Sequence, residues 1–424
     1  MRRHDPGMSN RRRPRPSPRR TAGPPRLGVL RGRPEEFAAS LPEVLGFPPT
    51  ESLVLLCFGG GGRGPKQLVF TLRVDLAEPA HDQLVAEQAI AHIRQIQPPP
   101  NRAMLFVVTE DPDDEVDLVQ PDPFRVTLPR PGAAEHPTVP DLPRRGLVHA
   151  FVEQLAELRV ATQDAVLVRA GRWWSYPDVD LVTGAGPGQA LDVDGSRLFG
   201  IAALSGRTVD ADRAATEARA WPTAPPTIAV LGACQRAEAE LVRRAGEVDG
   251  PALHEGYWTD VEAALRAHAP GSRAALPADE LARVGTGLLL VPVRDQALTL
   301  CATPTDDDAG DDLVAAAESL WTELVTRLPD DLGAVPALLL GYVAWLRGSG
   351  VLAVSALQRS LACEPTSMAE MLLTAVQGNT PPDVLRSVMV GPEDVGAAWV
   401  SGGSRPSRPR PGTPAGWPGS PRPR

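Results

Sequence analysis

The sequence contains few aromatic residues, few cysteines and almost no lysine. Aromatic residues make up 4% of the 424 positions, so aliphatic side chains and alanine must fill the core. The four cysteines are far apart along the chain and form no Cys-x-x-Cys pair. This spacing predicts neither a disulfide framework nor a zinc site, and no other pattern indicates a metal or a cofactor. Scattered thiols fit the reducing cytoplasm.

The basic residues are almost all arginine, and they are concentrated at the two ends of the chain. Lys66 is the only lysine among 43 basic residues. Residues 1–33 contain 11 arginines and one acidic residue, and residues 401–424 contain five arginines and no acidic residue. The body, 34–400, has 27 basic and 51 acidic residues. Because an acidic body repels nucleic acid and anionic membranes, we expect only weak nucleic-acid binding, through the arms.

No apolar stretch of the sequence is long enough to span a bilayer. The longest, 334–346, has 13 residues and includes Pro336, whereas a membrane-spanning helix needs about 20 apolar residues. The segment 21–33 follows paired arginines but lacks the apolar core of a secretory or twin-arginine signal. These features predict a cytoplasmic protein without membrane contact, and they leave an unknown protein partner open.

Strand and helix signals alternate in the first half of the body, and helical signals alone follow from about residue 211. This order predicts an α/β N-terminal half, an α-helical C-terminal half and disordered Arg/Pro-rich termini. The predicted strands are 53–58, 67–76, 104–109, 165–169 and 172–176, and the clearest helices are 35–45, 81–97, 147–160, 335–347, 351–362 and 366–377. The predicted domains are a basic arm (1–33), an α/β domain (34–210), a helical domain (211–392) and a tail (393–424).

Five segments of the chain carry a resemblance to a known family. In order they read LPEVLGFPPTESLVLLCF (41–58), LRVDL (72–76), GRWWSY (171–176), VRDQAL (293–298) and AWLRGSGVLAVSALQRSLACEP (344–365). Over roughly 28–390 the chain resembles the actinobacterial family catalogued as domain of unknown function 4192. The resemblance implies no activity and therefore no mechanism. Many relatives carry cysteines after the Trp-Ser-Tyr motif, whereas 176–185 here contains none.

Three groups of side chains are candidates for a ligand or partner patch. Arg73 and Asp75 share the polar face of their strand, either as a plain ion pair or as ligand-facing groups. Arg172, Trp174 and Tyr176 lie close together, and alternation places both aromatic rings on one face, in the core or exposed for stacking. A third pair, Arg294-Asp295, near the start of a late helix, could bind a partner or cap the helix.

The sequence shows no pattern that indicates catalysis. The glycine-rich stretches 59–64 and 184–188 lack the surroundings of phosphate and dinucleotide loops, so we interpret both as plain loops. We therefore expect a non-enzymatic interaction or regulatory protein. The alternative is an enzyme or small-ligand binder with a cleft at the strand ends of the α/β half. If Arg73 is functional rather than structural, Arg73→Ala should change stability by less than about 1 kcal/mol.

Overall fold

The computed structural model describes residues 33–59, 67–94, 96, 99–112, 142–178, 185–193, 209–272, 275–302 and 308–389. The arms predicted to be disordered, 1–33 and 393–424, lie outside these residues except for Arg33, as does most of the glycine run 59–64. The described N-terminal half contains a six-stranded sheet with helices, and the described C-terminal half is helical, which confirms the predicted fold class.

The N-terminal half is built on a mixed sheet. Its strands are β1 (Ser52–Gly59), β2 (Gln67–Asp75), β3 (Arg102–Val108), β4 (Ala161–Arg169), β5 (Arg172–Ser175) and β6 (Gln189–Ala190). Its helices are α1 (Pro34–Ala39), α2 (Leu41–Leu45), α3 (Asp82–Ile93) and α4 (Arg145–Glu157). The strand order is β2-β1-β3-β4-β5-β6, in which β3 and β4 are parallel and the other neighbours antiparallel.

Helices cover both faces of this sheet, as the contacts of β1 show. All its residues are buried, so its sequence is apolar throughout rather than alternating. Leu53, Leu55 and Cys57 pack with residues of α3 and α4, on what we call the α3/α4 face. Val54 and Leu56 pack with residues of α1 and α2, on the α1/α2 face. Each fully buried aliphatic side chain contributes roughly 1.5–3 kcal/mol, so β1 anchors both layers.

The C-terminal half packs its helices around one apolar core. They are α5 (Arg213–Ala218), α6 (Ile228–Ala245), α7 (Gly250–Ala267), α8 (Ala278–Gly287), α9 (Val291–Ala302), α10 (Asp308–Arg327), α11 (Asp330–Leu346), α12 (Gly350–Cys363), α13 (Ser367–Gln377) and α14 (Pro382–Met389). Most residues of α11 are buried, as its nearly all-apolar sequence predicts. None of the described helices is both long and apolar enough to cross a bilayer.

Helix α5 and the residues beside it join the two halves. On the α/β side, the amide of Asp210 donates to the carbonyl of Gly46 at 2.8 Å, and Arg213 pairs with Asp75 at 3.3 Å. On the helical side, the hydroxyl of Ser355 in α12 donates to the carbonyl of Glu217 at 2.8 Å. The short helix is therefore held to both halves by hydrogen bonds.

Arg73 belongs to the same connection. Its guanidinium contacts Asp75 at 2.7 Å, donates to the Thr50 carbonyl at 3.1 Å and lies 5.8 Å from the centroid of the Phe47 ring. The Arg73 side chain is only 13% exposed, whereas that of Asp75 is 68% exposed. The structure thus contains an ion pair between Arg73 and Asp75, one of the two alternatives left by the sequence, with the arginine packed into the protein.

We predict that Arg73→Ala lowers the free energy of unfolding by about 2 kcal/mol, because the Thr50 carbonyl and the Phe47 ring lose a largely buried partner. This loss is larger than the one expected from the sequence alone. Arg213→Ala is the matched control, since Arg213 also contacts Asp75 but is 47% exposed, and it should cost less than about 1 kcal/mol. Urea unfolding measures both. Equal losses for the two variants would contradict the structural role of Arg73.

Candidate functional site

The described residues of the helical half form an open groove. It lies between the segment 222–226, the first turns of α6 and the connection from α10 to α11. Its volume is about 730 Å³, and it is open to solvent. That volume falls within the range of small-molecule and peptide sites. The lining residues are Pro222, Thr223, Ala224, Pro225, Pro226, Leu231, Leu328, Pro329, Asp330 and Asp331.

The groove exists because two helices begin there after proline residues. Prolines at 222, 225 and 226 keep the segment before α6 out of a helix. The Thr227 side chain then caps α6 by accepting from the amide of Val230 at 3.3 Å. Pro329 is the N-cap residue of α11. The walls are therefore helix ends of fixed conformation, which favours a preformed surface.

A tryptophan next to the groove is held in a fixed position. The indole N–H of Trp221 donates to the Ser355 hydroxyl at 3.0 Å, and the Arg359 guanidinium lies 5.4 Å from its ring centroid. Arg359 in turn pairs with Asp330 at the groove. The Trp221 side chain is nevertheless 37% exposed. A rigid, partly exposed indole is a typical anchor of protein interfaces.

Apolar and acidic residues are exposed at the groove and at the start of α6. At the start of α6, Ile228 is 90% exposed and Leu231 is 42% exposed. Asp330 and Asp331, in the first turn of α11, are also exposed. We call these residues, with Trp221 and the lining, the Trp221 groove. Its combination of apolar surface and negative charge is complementary to a ligand that is apolar and basic.

The structure does not bring the predicted Arg73/Asp75 pair to the predicted aromatic pair. Arg73 lies opposite Val54 on the α1/α2 face of edge strand β2. Trp174 and Tyr176 pack on the α3/α4 face near β5. In the sheet order β5 is four strands from β2, which is about 19 Å at the usual spacing. A shared cleft built from Arg73, Asp75, Arg172 and Tyr176 is therefore not present among the described residues.

The polar groups of Arg172, Trp174 and Tyr176 are engaged by backbone carbonyls. Arg172 donates to the carbonyls of Pro187 at 2.6 Å and Gly188 at 2.9 Å, and the Trp174 indole donates to that of Gly186 at 3.1 Å. The Tyr176 hydroxyl donates to the carbonyl of Pro143 at 2.6 Å. Both aromatic side chains are buried. Alternation correctly placed them on one face, with Trp173 on the other.

The remaining predicted pair, Arg294 and Asp295, lies in the helical half. The two side chains contact each other at 2.8 Å, inside α9 rather than at its N-cap. Trp221, Ser355 and Arg359 were not predicted to lie together, because Trp221 is more than 130 residues from the other two along the chain. The sequence feature that could have drawn attention to this region is the proline-rich segment before α6.

The cysteines lie in surroundings that suppress thiol reactivity. Cys57, Cys234 and Cys301 are buried, and Cys363 is partly buried. Burial raises the pKa of Cys57 to about 12 and that of Cys301 to about 12, so both stay protonated at neutral pH. Over the part of the chain that the structure describes, no cluster of three His, Cys, Asp or Glu side chains is placed to hold a metal ion.

Two glycines in the loop beside Trp174 provide a matched test of how this loop packs against the indole. Gly186 and Gly188 both have left-handed backbone conformations, with φ of +62° and +66°. A Cβ at 188 would lie 2.3 Å from Cε2 of Trp174, whereas a Cβ at 186 would have nothing within 4 Å. Both substitutions to alanine carry the same backbone strain, but only one of them clashes.

We predict that Gly186→Ala lowers the free energy of unfolding by about 1 kcal/mol, through backbone strain alone. Gly188→Ala should cost about 1–3 kcal/mol more, because Trp174 must move. Urea unfolding followed by tryptophan fluorescence measures both. Losses of the same size would show that the loop does not pack against Trp174 as described.

Comparison with known proteins identifies a family but no activity. No curated protein and no solved structure matches the chain. A family model described as domain of unknown function (DUF4192) matches residues 34–383, most of the chain, from the start of α1 into α14. This match agrees with the ordered motifs of the sequence. The chain belongs to the DUF4192 family.

Proposed function

We propose that the protein is a cytoplasmic interaction protein whose helical domain, 211–392, binds a proline- and arginine-rich peptide segment in the Trp221 groove. The α/β domain, 34–210, serves as the scaffold that holds α5 and thereby the groove. The observation that carries the proposal is Trp221, which is immobilised by Ser355 and Arg359 yet 37% exposed beside two exposed aspartates. Four unpaired thiols support a reducing compartment.

The chemistry of the groove favours this class of peptide. A polyproline II segment needs no internal hydrogen bonds, is already extended, and packs its proline rings against aromatic and apolar surface. Trp221, Ile228 and Leu231 offer such surface. An arginine spaced between the prolines would reach Asp331, since Asp330 is already paired with Arg359, and a guanidinium pairs well with a carboxylate. The exposed acids therefore favour a basic peptide over a neutral one.

The chain itself contains a segment of the required composition. Residues 405–410 read Arg-Pro-Ser-Arg-Pro-Arg, and the arm 401–424 has no acidic residue. A peptide of this sequence is thus a natural probe for the groove. In the intact protein the same arm would compete with an external peptide, so occupancy of the groove could be regulated by the chain itself.

We predict that a labelled peptide with the sequence of 404–412 binds the full-length protein in which Arg405, Arg408 and Arg410 are changed to Gln, which removes the identical segment of the tail as a competitor. Fluorescence anisotropy at fixed ionic strength measures the affinity. Asp331→Arg in that background should weaken binding at least about tenfold, because an attractive charge becomes repulsive. A peptide with its arginines changed to Gln should bind equally weakly.

Glu280→Arg is the matched control for Asp331→Arg. Both acids are exposed residues in the first turn of a helix, so both changes have similar effects on net charge and on the helix dipole. Glu280 does not line the groove. If the two variants weaken binding equally, the peptide responds to overall charge and the groove is not its site. Retention of full affinity by Asp331→Arg would lead to the same conclusion.

A further inference from the structure

A buried carboxyl group without a partner lies where the two halves meet. Glu43, in α2, is 6% exposed, and its Oε2 atom has no hydrogen-bond partner among the described residues. Burial raises the pKa of this carboxyl group, and a hydrogen bond to its own backbone offsets part of the effect. An unsatisfied buried acceptor costs about 1–3 kcal/mol, so a group that satisfies it would stabilise the protein.

Glu43 lines a small cleft whose walls come from both halves. The α/β half contributes Glu43, Val44, Leu45 and Gly46, and the connection and helical half contribute Asp210, Thr216, Arg219, Glu318, Arg347, Gly348 and Ser349. The internal volume is about 30 Å³. A water molecule needs about 10–15 Å³ on this measure, so the cleft has room for one or two groups of that size.

The other charged groups of the cleft neutralise one another. The two carboxylate oxygens of Glu318 contact Arg219 at 2.6 Å and Arg347 at 2.8 Å. Arg219 also lies 3.5 Å from Asp210. Three carboxylates, counting Glu43, thus face two guanidinium groups. The cleft therefore has an excess of negative charge. Among the described residues, no group donates a hydrogen bond to Oε2 of Glu43.

We propose that this cleft is a binding site for an ammonium group, supplied either by the free ion or by the head of a small primary amine. Such a group carries one positive charge, donates several hydrogen bonds and has about the size of a water molecule. It would donate to Oε2 of Glu43, which has no hydrogen-bond partner among the described residues. This site is separate from the Trp221 groove and does not depend on the function proposed for it.

Two other classes of ligand fit the cleft less well. An anion would meet the unpaired carboxyl group of Glu43 and two arginines that are already engaged. A divalent cation needs about six oxygen ligands, whereas the carboxylates of Asp210 and Glu318 are held by arginines. An N–H donor needs only an acceptor and a small volume, and the cleft offers both.

Ligand binding at this position should be linked to a proton. The ammonium group favours the ionised form of Glu43 and therefore lowers its pKa, which burial had raised. Around Glu43 the cleft contains the charged groups Asp210, Arg219, Glu318 and Arg347. Since the arginines keep their charge, the affinity for the ammonium group should fall as the pH drops through the pKa of Glu43.

The test uses the full-length protein and compares salts at equal ionic strength. Ammonium chloride should raise the melting temperature above that in potassium chloride by about 2–4 °C near saturation. Potassium has almost the same size and charge but no N–H donor, and tetramethylammonium has neither the donors nor the size. Methylammonium separates the two sources: a shift equal to that of ammonium assigns the site to amine head groups, and no shift assigns it to the free ion.

Two variants test whether the ammonium-specific increase in melting temperature arises at Glu43. Glu43→Gln should abolish the ammonium-specific shift, whereas Glu157→Gln, which neutralises an exposed glutamate on α4, should preserve it. As a measurement without any variant, the carboxyl ¹³C resonance of Glu43 should titrate at lower pH in ammonium than in potassium. Three results would contradict the proposal. They are an equal melting temperature in potassium and ammonium, an ammonium-specific shift that persists in Glu43→Gln, and a Glu43 carboxyl group that titrates at the same pH in both salts.

Discussion

The attachment of the α/β half to the helical half depends on the hydrogen bonds that surround α5. This helix has only six residues, too few to be stable by itself in water. Its position is fixed from the α/β side by Gly46 and Asp75 and from the helical side by Ser355. Arg219, the C-cap residue of this helix, forms an ion pair with Glu318. Because Glu318 is 13% exposed and serves two arginines, loss of either partner would leave charge in a poorly solvated place.

One hydroxyl group links this connection to the groove. Ser355 donates to the carbonyl of Glu217 at the end of α5 and accepts from the indole of Trp221. The packing of α5 and the position of the indole are therefore not independent. A ligand that binds beside Glu43 would meet α5 through Thr216 and Arg219. The cleft beside Glu43 and the Trp221 groove thus both adjoin the C-terminal end of α5.

The sequence predicted what depends on short-range periodicity. Alternation placed Trp174 and Tyr176 on one face, and it placed Arg73 and Asp75 together on the polar face of their strand, where they form an ion pair. The apolar run 53–58 predicted a strand, which is β1. These features follow from residues two positions apart, whose side chains lie on the same face whatever the tertiary structure is.

The candidate sites could not be predicted in this way. Trp221 and Ser355 are 134 residues apart, and the proline-rich segment that follows Trp221 does not indicate its contact with Ser355. Glu43 lies in an amphipathic stretch that is equally compatible with a solvent-facing carboxylate. It lines a cleft whose other walls include residues of the helical half, which no local pattern indicates. Arg73 and Tyr176 looked like neighbours because sequence shows strands but not their order in the sheet.

The central claim is that the Ser355 hydroxyl holds α5 and Trp221 together, and hydrogen–deuterium exchange of the full-length Ser355→Ala variant tests it most directly. Ser360→Ala is the control, because Ser360 is also buried in α12 and donates to the Ala334 carbonyl at 2.7 Å. We expect Ser355→Ala to speed exchange in 213–226 and to leave the sheet unchanged, whereas Ser360→Ala should not affect 213–226. Unchanged exchange in 213–226 of the Ser355→Ala variant would contradict the claim.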